Sequence, residues 1–519
     1  MELDFIYNIF NWIIISAAIF IFLCVYVNRY FNFWEKHGIP SPTTNIWSFL
    51  TGLYQFINKP LHLLQVQTYN KCGRIYGIFF GLKPQLVVAD PQIVKNILVK
   101  DFNMFHNRMK FKIGNPVFDN MLSVLADEDW KRIRCIMSPT FTSSRMRKMA
   151  YLIRECAEKF TENLKNKVPI NENQTLDCKS YLSTYPIDVI ASTAFGTKLN
   201  SLEDPNNEFV NKARQASNTD ASLRLTLFFL FPKLIRFLKV DIFGGAFDFF
   251  QQFALHVVKR REEEKMKAND FLQLLMDAQK GILEISPEDS SETNDKDESN
   301  FKTLPKHKTM SLDEMLAQCV LFLFAGIETT TNTLAFVVYY MALNPECQNK
   351  LIEEIDEVNK NNKEINFDVL FKMQYMDAVV NESFRKEPIG IQLMRECTEE
   401  YEISEIGFKI PKGMTIAIPI YSMHHDKEFY PNPEKFDPER FLPENRHSIL
   451  PYTYLPFGEG PRNCIGMRFA IMVVKMFIFH LFRDFRVHAT EETKKPLEFF
   501  RGQGLIQPKK VIVELERRK

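Results

Sequence analysis

The sequence FGEGPRNCIG, residues 457–466, interrupts an otherwise ordinary globular pattern near the C-terminal end of the chain. It holds one cysteine, Cys464, among glycine, proline and arginine, and a long apolar helical sequence follows it. Glycine and proline break regular structure, so this stretch is predicted to be a loop with a fixed path. Loop amides and the positive end of the next helix favour an anion, which makes a metal-bound thiolate a better interpretation of Cys464 than a nucleophile. Arg462, two residues earlier, is suited to bind an anionic group of a cofactor.

The composition is that of a large globular protein. The 519 residues carry a net charge of +1, which argues against a nucleic-acid-binding protein because such proteins have a basic excess. Nine cysteines occur at wide, irregular spacings without a C-x-x-C pair, so neither a zinc site nor a redox dithiol is predicted. A disulfide framework is not expected in a chain of this size.

The N-terminal residues predict a membrane anchor. Residues 9–27 are almost entirely apolar and would form about 28 Å of helix, close to one bilayer core. Arg29 and Lys36 place the following side in the cytoplasm. A cleaved signal peptide is the alternative, but the basic start and the small-residue cleavage site that it needs are absent. We expect residues 1–28 to be a retained anchor and residues 29–44 a proline-containing elbow, whose aromatic residues suit the membrane interface: Tyr30, Phe31, Phe33 and Trp34.

The remaining residues, 45–519, are interpreted as one domain, mainly α-helical with small β-sheets. A capping box at Ser311 and Glu314 predicts a helix of about 32 residues that ends near Asn344. Further helices are predicted at 345–360, 366–387 and 467–483, and strands at 414–420 and 509–515. Residues 284–309 begin with a long polar, acidic segment and are predicted to be a mobile surface loop.

Polar residues in the middle of the long helix indicate a reaction site. The sequence FAGIETTTNT, residues 324–333, places Glu328 beside Thr329 between apolar flanks. A buried acid needs a partner, and an adjacent carboxylate and hydroxyl can pass protons to a reacting oxygen. The alternative is a helix face that is turned to water.

Three charged residues are candidates for a structural cluster. Glu382 and Arg385 are three positions apart and therefore share one helix face. Arg440, in the proline-rich segment 433–441, could join them and fix that segment to the helix by charge-assisted hydrogen bonds. A solvated ion pair is the default alternative for such a weak motif.

Taken together and in this order, these patterns resemble the cytochrome P450 haem-thiolate monooxygenases. The resemblance covers essentially the whole chain and is closest to animal microsomal members, especially insect detoxification enzymes and vertebrate drug- and steroid-oxidising relatives. The F-x-x-G-x-R-x-C-x-G signature is complete, and the A-G-x-[DE]-T, E-x-x-R and W-x-x-x-R patterns are also met. The matching residues are Phe457, Gly460, Arg462, Cys464, Gly466, Ala325, Gly326, Glu328, Thr329, Glu382, Arg385, Trp130 and Arg134. Glu387 departs from the family, which usually has an aromatic or apolar residue there.

The resemblance implies haem b as the cofactor, with Cys464 as the ligand of the iron. The resemblance also implies that Glu328 and Thr329 handle oxygen protonation. It implies that the cysteine loop is supported by Glu382, Arg385 and Arg440. The resemblance assigns the haem propionates to Trp130, Arg134, Arg395 and Arg462, with Ala325, Phe457 and Gly466 as further cofactor-binding residues.

The implied reaction inserts one oxygen atom from O2 into a lipophilic molecule, with electrons from NADPH. No G-x-G-x-x-G follows a strand, so a partner must supply them: NADPH–cytochrome reductase, with cytochrome b5 as a possible second partner. A xenobiotic such as a plant toxin or insecticide is the expected substrate, and a hormone, steroid or fatty acid is the alternative. The expected location is the endoplasmic reticulum membrane, with the catalytic domain on the cytoplasmic side.

Three further expectations concern rivals and surfaces. A reductase-independent haem-thiolate isomerase or dehydratase and a non-catalytic carrier are the competing functions, and the Glu328–Thr329 pair argues against both. A basic face for reductase is expected at Lys131, Arg132, Arg145, Arg147 and Lys148. Pocket-lining segments are expected at 105–118, 228–231, 389–394 and 504–506 and at Phe322 and Phe324, with 228–231 and 243–250 as alternative membrane contacts.

Overall fold

The computed structural model describes residues 28–110, 112–170, 172–217, 245–282, 309–361, 364–501 and 504–519, and separate positions between 12 and 25. This part of the chain is mainly helical with three small sheets, as the sequence predicts. The α-helices in it are α1 (Phe33–Lys36), α2 (Ile46–Asn58), α3 (Leu61–Cys72), α4 (Pro91–Lys95), α5 (Pro116–Asp119), α6 (Asp127–Met137), α7 (Ser143–Lys167), α8 (Cys178–Leu182), α9 (Thr184–Phe195), α10 (Glu208–Ser217), α11 (Ala246–Glu263), α12 (Phe271–Gln279), α13 (Leu312–Leu343), α14 (Pro345–Asn361), α15 (Phe367–Lys372), α16 (Gln374–Lys386), α17 (Ile420–His424) and α18 (Met467–Asp484).

Nine short strands form the sheets of the described part. Their bounds are β1 (Ile75–Phe80), β2 (Lys83–Val88), β3 (Asn173–Asp177), β4 (Leu393–Glu396), β5 (Tyr401–Ile403), β6 (Phe408–Ile410), β7 (Thr415–Ile418), β8 (Phe485–His488) and β9 (Ile512–Arg517). The largest sheet has the order β1-β2-β7-β4, the second β3-β9-β8, and β5 pairs with β6. The β2–β7 pairing is parallel and the others are antiparallel.

The long helix α13 spans 32 residues and begins at the predicted capping box. The Ser311 amide donates to Oε2 of Glu314 at 2.8 Å, and the Glu314 amide donates to Oγ of Ser311 at 3.2 Å. The helix ends at Asn344, where Pro345 opens α14. It packs against α9, α11, α16 and α18 and forms the centre of the core.

Among the described residues, α13 is also the helix that is long and apolar enough to cross a membrane, and most of its apolar window is buried within the protein. The predicted anchor, residues 1–28, lies largely outside the described residues. The predicted mobile loop, residues 284–309, lies outside them except for its last residue.

Two aromatic residues of the elbow do not lie at a membrane interface, so that expectation was wrong for them. Trp34 is 0% exposed and Phe31 1% exposed. The indole covers Gly77 of β1 so closely that a Cβ there would lie 2.0 Å from a ring carbon, and its Nε1 donates to the carbonyl of Ile78 at 3.1 Å. Phe31 stacks on Phe49 at 4.8 Å between ring centroids. Trp34 is therefore part of the core beside the β1-β2-β7-β4 sheet, and Phe31 is buried against α2.

Candidate active site around Cys464

The loop that carries Cys464 depends on two glycines. Gly458 and Gly460 have φ angles of +74° and +75°, a region that L side chains rarely adopt. A Cβ at Gly460 would also lie 2.0 Å from the backbone oxygen of Leu98. The Cys464 amide donates to the carbonyl of Phe457 at 2.8 Å and closes the loop just before α18.

The Cys464 thiol lies in surroundings that combine surface accessibility with desolvation. Its residue has accessible surface, yet burial raises the pKa of the thiol. Three groups oppose this effect of burial and lower the pKa of the thiol: the backbone amide of Gly466, which hydrogen-bonds the sulfur, and the charges of Arg134 and Arg108. The net effect disfavours a free thiolate, and a bound metal ion would supply the positive charge that stabilises one.

Four arginines gather beside this loop: Arg108, Arg134, Arg395 and Arg462. Arg134 on α6 donates to the carbonyl of Asn463 at 2.9 Å and to its side chain at 2.7 Å. Arg462 donates to the carbonyl of His106 at 2.6 Å. Arg108 donates to the carbonyl of Arg462 at 3.4 Å, so its side chain extends into the same region.

Trp130 supports this group from α6. Its ring is 1% exposed, and the guanidinium carbon of Arg462 lies 4.6 Å from the ring centroid. A guanidinium over an aromatic face gains electrostatic attraction when it is desolvated. Trp130 thereby fixes the position of one member of the arginine cluster.

Two members of the arginine cluster, Arg395 and Arg462, have buried nitrogens that make no hydrogen bond among the described residues. Nε and Nη2 of Arg395 and Nε of Arg462 are buried without a hydrogen-bond partner there. Burial and then the charge of Arg108 lower the pKa of Arg395 to about 9. Burial and then the charges of Arg108, Arg395 and Arg134 lower the pKa of Arg462 to about 8. Since unpaired buried charges are costly, the site fits a group that brings carboxylates to the guanidiniums.

One face of α13 packs on α18, the helix that follows the cysteine loop. Phe322 contacts Phe469 of α18 at 5.4 Å between ring centroids. Ala325, one turn further along the same face, is exposed although it lies in the central helix of the core. The Thr329 hydroxyl donates to the Ala325 carbonyl at 2.5 Å. Cys464 and Ala325 both have accessible surface, which is compatible with a bound cofactor that covers them.

Gly326 allows a second helix, α9, to pack closely against α13. A Cβ there would lie 2.6 Å from Cδ1 of Ile190, which belongs to α9. This glycine therefore lets α9 pack on α13 rather than providing room for a ligand.

Glu328 faces a polar cleft. Its Oε1 accepts from Gln507 at 2.7 Å and from Asn332 at 3.0 Å, and Nζ of Lys179 lies 3.8 Å away. Burial lowers the pKa of Lys179, whereas the charge of Glu328 raises it. The cleft has a volume of about 480 Å³, and Glu328, Lys179 and Thr331 are among its lining residues. No hydrogen bond joins Glu328 to Thr329 in the described structure, so the predicted pair is adjacent but faces two directions.

Glu382, Arg385 and Arg440 lie together in the structure. Arg385 donates to both oxygens of Glu382 at 2.8 Å, and both side chains are 0% exposed. Nε of Arg440 lies 3.9 Å from the same carboxylate, and its Nη2 donates to the carbonyl of Pro431 at 2.7 Å. Arg385 also donates to the carbonyl of Pro433 at 2.9 Å, so the helix α16 holds the proline-rich segment.

Three contacts connect α16 and α17 to the segment that leads into the cysteine loop, one of them from His424 of α17. His424 Nε2 accepts from the Leu455 amide at 3.0 Å. The Tyr454 hydroxyl donates to the carbonyl of Asn381 at 3.0 Å. The rings of Phe384 and Phe457 meet edge to face at 4.9 Å. The charged cluster and the cysteine loop are therefore parts of one connected structure.

The expected pocket segments divide into two groups. An aromatic cluster beside Ala325 joins Phe118, Phe247 and Phe324, with Phe247–Phe324 centroids at 4.5 Å. Phe105, by contrast, is 0% exposed and packs on Tyr401 in the sheet core. Residues 228–231 lie outside the described residues.

Of the segment 243–250, Phe247 and Phe250 are buried against α13 and do not extend toward a membrane. Sequence reasoning missed four residues of the site: Arg108, Lys179, His424 and Gln507. None belongs to a short motif, since each reaches the site from a distant segment.

Comparison with known proteins gives the family. The cytochrome P450 family model matches residues 40–515. The chain is 37% identical over 516 residues to cytochrome P450 3A41 of Mus musculus, covering 97% of this chain and 95% of that protein. It is 36% identical to cytochrome P450 3A2 of Rattus norvegicus, with the same coverage of both chains. It is 34% identical to cytochrome P450 3A6 of Oryctolagus cuniculus, covering 98% of this chain and 97% of that protein. The chain belongs to the cytochrome P450 family, the haem b-dependent monooxygenases that take electrons from NADPH through a partner reductase.

Proposed function

We propose that this monooxygenase oxidises lipophilic foreign compounds, such as plant toxins or insecticides, at the site formed by Cys464 and α13. The accessible Cys464 thiol and the buried nitrogens of Arg395 and Arg462 that make no hydrogen bond support haem at this position. The aromatic cluster of Phe118, Phe247 and Phe324 supports an apolar substrate beside Ala325.

In this proposal Cys464 ligates the iron, and the four arginines with Trp130 neutralise and orient the two propionates. Bound haem supplies the activation of O2, which a thiolate ligand promotes by pushing electron density toward the iron. Phe457 and Gly466 would shape the loop that holds the haem, and Ala325 would leave room for it. Glu382, Arg385 and Arg440 keep this loop in place through α16.

Glu328 and Thr329 have the proton-handling role. The hydroxyl of Thr329 lies on the accessible face of α13, and it could exchange its bond to the Ala325 carbonyl for one to a water molecule that carries a proton. The Glu328 carboxylate lies at the polar cleft, where solvent can supply protons. Rotation of the Glu328 carboxylate would connect the polar cleft to the face of α13 that carries Thr329. Lys179 and Gln507 restrain that rotation.

The reductase is proposed to dock on the basic residues of α6 and α7. Lys131 pairs with Glu128 at 2.8 Å and Arg147 with Asp368 at 3.0 Å, both near the surface. Arg132 bonds Glu314 and is therefore tied to the start of α13. Because surface pairs are weak, Lys131 and Arg147 can exchange their partners for acidic groups of a reductase or of cytochrome b5.

A membrane location at the endoplasmic reticulum, with the catalytic domain in the cytoplasm, is part of the proposal. The described positions of the N-terminal segment include exposed apolar side chains: Trp12, Ile14, Ile15, Phe22 and Val25. Protease protection in microsomes, with an epitope at each end of the chain, tests this topology.

The first experiment is the carbon monoxide difference spectrum of the reduced protein in membranes. We expect the long-wavelength Soret band of thiolate-ligated haem, and its loss in Cys464→Ala. A native spectrum in that variant would overturn the ligand assignment.

A second experiment tests the substrate class. The protein with reductase and NADPH is offered matched panels of lipophilic insecticides and plant toxins, and of steroids and fatty acids, under ¹⁸O2. Labelled products mainly from the first panel support the proposal. Efficient turnover of the second panel alone would assign an endogenous role instead.

A further inference from the structure

A large cavity lies between α2, α3 and the β1-β2-β7-β4 sheet. Its volume is about 630 Å³, and its lining includes none of Cys464, Ala325 and the four arginines. Most of the lining is apolar, and the principal side chains are Phe49, Leu53, Phe56, Leu61, Leu64 and Ile78. This is the size that accommodates a small organic ligand.

The sheet side of the cavity follows from strand register. Tyr76 pairs with Val87 and Ile78 with Gln85, and all four of these residues line the cavity. Because side chains alternate along a strand, one face of the β1–β2 hairpin is directed to the cavity. The polar groups of this face are the Gln85 amide and the Tyr76 hydroxyl, and the rest is apolar.

Gln85 has an unused hydrogen-bond acceptor. Its side chain is 1% exposed, and its Nε2 lies 3.6 Å from the sulfur of Met394. Its Oε1 is buried and has no partner among the described residues. An amide oxygen accepts hydrogen bonds and cannot donate them, so a ligand that satisfies it must bring a donor.

The helix α2 is apolar on both sides. Phe49, Leu53 and Phe56 line the cavity, and none of the residues of α2 is buried. On the outside, Trp47 is 73% and Tyr54 68% exposed. An amphipathic helix normally buries one face, so α2 lacks the packing partner that a ligand in the cavity would provide.

We propose that this cavity binds a lipophilic alcohol: a molecule with an apolar body between α2, α3 and the sheet, and one hydroxyl group that donates to Oε1 of Gln85. Such a molecule could come from a bilayer or from the compounds that the enzyme oxidises. The apolar outer face of α2 is compatible with either source. The proposal does not rest on the function assigned to the Cys464 site.

Two photoreactive probes test the proposal on the haem-loaded full-length protein: a diazirine-bearing 1-dodecanol and its methyl ether. Labelled peptides are identified by mass spectrometry. We expect the alcohol to label α2 and α3, with an affinity about three- to tenfold higher than that of the ether, the effect of one net hydrogen bond. The Gln85→Leu variant should remove this difference.

A variant that fills the cavity tests the role of the cavity independently of the Gln85 amide. A Cβ at Gly52 meets no atom within 4 Å, and Gly52 lines the cavity. Gly52→Leu should therefore fold, as its carbon monoxide spectrum would show, and reduce labelling by both probes. Asn58→Leu, on the same helix but outside the lining, is the matched control and should leave labelling unchanged.

Three results would overturn the proposal: equal affinity of alcohol and ether in the unaltered protein, equal labelling of the Gly52→Leu variant, or labelling elsewhere only. If the alcohol binds as proposed, displacement of the probe by competing molecules identifies the natural source of the ligand. Displacement by an oxidised substrate assigns the cavity to substrates, and displacement by cholesterol-containing vesicles assigns it to a membrane alcohol. Displacement by neither would contradict a natural alcohol ligand.

Discussion

Arg385 and Glu382 form a bidentate ion pair with two hydrogen bonds of 2.8 Å in which neither side chain is exposed. A pair of this kind contributes little over apolar residues of similar size, but loss of one partner leaves a buried charge. The same arginine also bonds the carbonyls of His424 and Pro433. Its replacement should therefore affect the cysteine loop.

The variant Arg385→Met should destabilise the protein by about 3–5 kcal/mol, since it leaves the Glu382 carboxylate unpaired. The measurement is the temperature at which thiolate-ligated haem is lost, followed by the carbon monoxide spectrum. The double variant Arg385→Met with Glu382→Leu should recover part of the loss. Equal heat stability of the single variant and the unaltered protein would contradict a structural role.

Stability should fall as pH rises because of Glu387. Its carboxyl accepts from the Tyr340 hydroxyl at 2.9 Å, and burial raises its pKa from 4.5 to about 7. A raised folded-state pKa stabilises the fold fully below about pH 4.5, and that contribution disappears as pH rises through about 7. The size of the effect is about 3 kcal/mol.

The test compares thermal stability between pH 5 and 8. Glu387→Gln should flatten this pH dependence, because an amide stays neutral. The control Glu405→Gln changes an exposed carboxylate of the same chain and should leave the pH profile as it is. An unchanged slope in Glu387→Gln would show that another group titrates.

Removal of the Arg395 side chain should stabilise the haem-free protein and weaken the retention of haem in the loaded protein. Arg395→Leu relieves repulsion within the arginine cluster, so the haem-free protein should become more stable. Haem should leave about tenfold faster, because a charge-assisted hydrogen bond is lost. Transfer of haem to an excess of apomyoglobin measures this rate, and Arg446→Leu at the surface is the control. Slower transfer from Arg395→Leu would contradict contact with the cofactor.

The glycine at the loop should be irreplaceable for steric reasons. Gly460→Ala should strongly reduce the yield of thiolate-ligated protein, because its Cβ would strike the Leu98 carbonyl. Gly413 also has a positive φ, of +82°, but a Cβ there meets no atom within 4 Å. Gly413→Ala therefore isolates the backbone strain, which costs about 1 kcal/mol. Similar losses in both variants would argue against the Leu98 contact.

The proposed proton role predicts a selective loss of turnover. Glu328→Gln should lower kcat by about a hundredfold while substrate binding, measured by the spectral shift of the haem, stays unchanged. A full kcat in Glu328→Gln would remove this residue from the reaction.

The sequence predicts the elements that carry strong local signals. The capping box at Ser311 and the Asn344–Pro345 step define α13, and alternating glycine and proline define the loop at Cys464. The arginine cluster depends instead on segments that meet only in the fold, so Arg108 has no signal of its own. Trp34 was misplaced because the aromatic residues of a membrane interface and of a buried core have the same composition.

The burial of Trp34 has a practical consequence for the preparation of a water-soluble form. Deletion of everything before residue 45 would remove the indole that covers Gly77 and expose the apolar edge of the sheet. The Ile46 amide also bonds the side chain of Asn28 at 3.0 Å. A shortened gene for crystallisation should therefore start no later than the codon for Asn28.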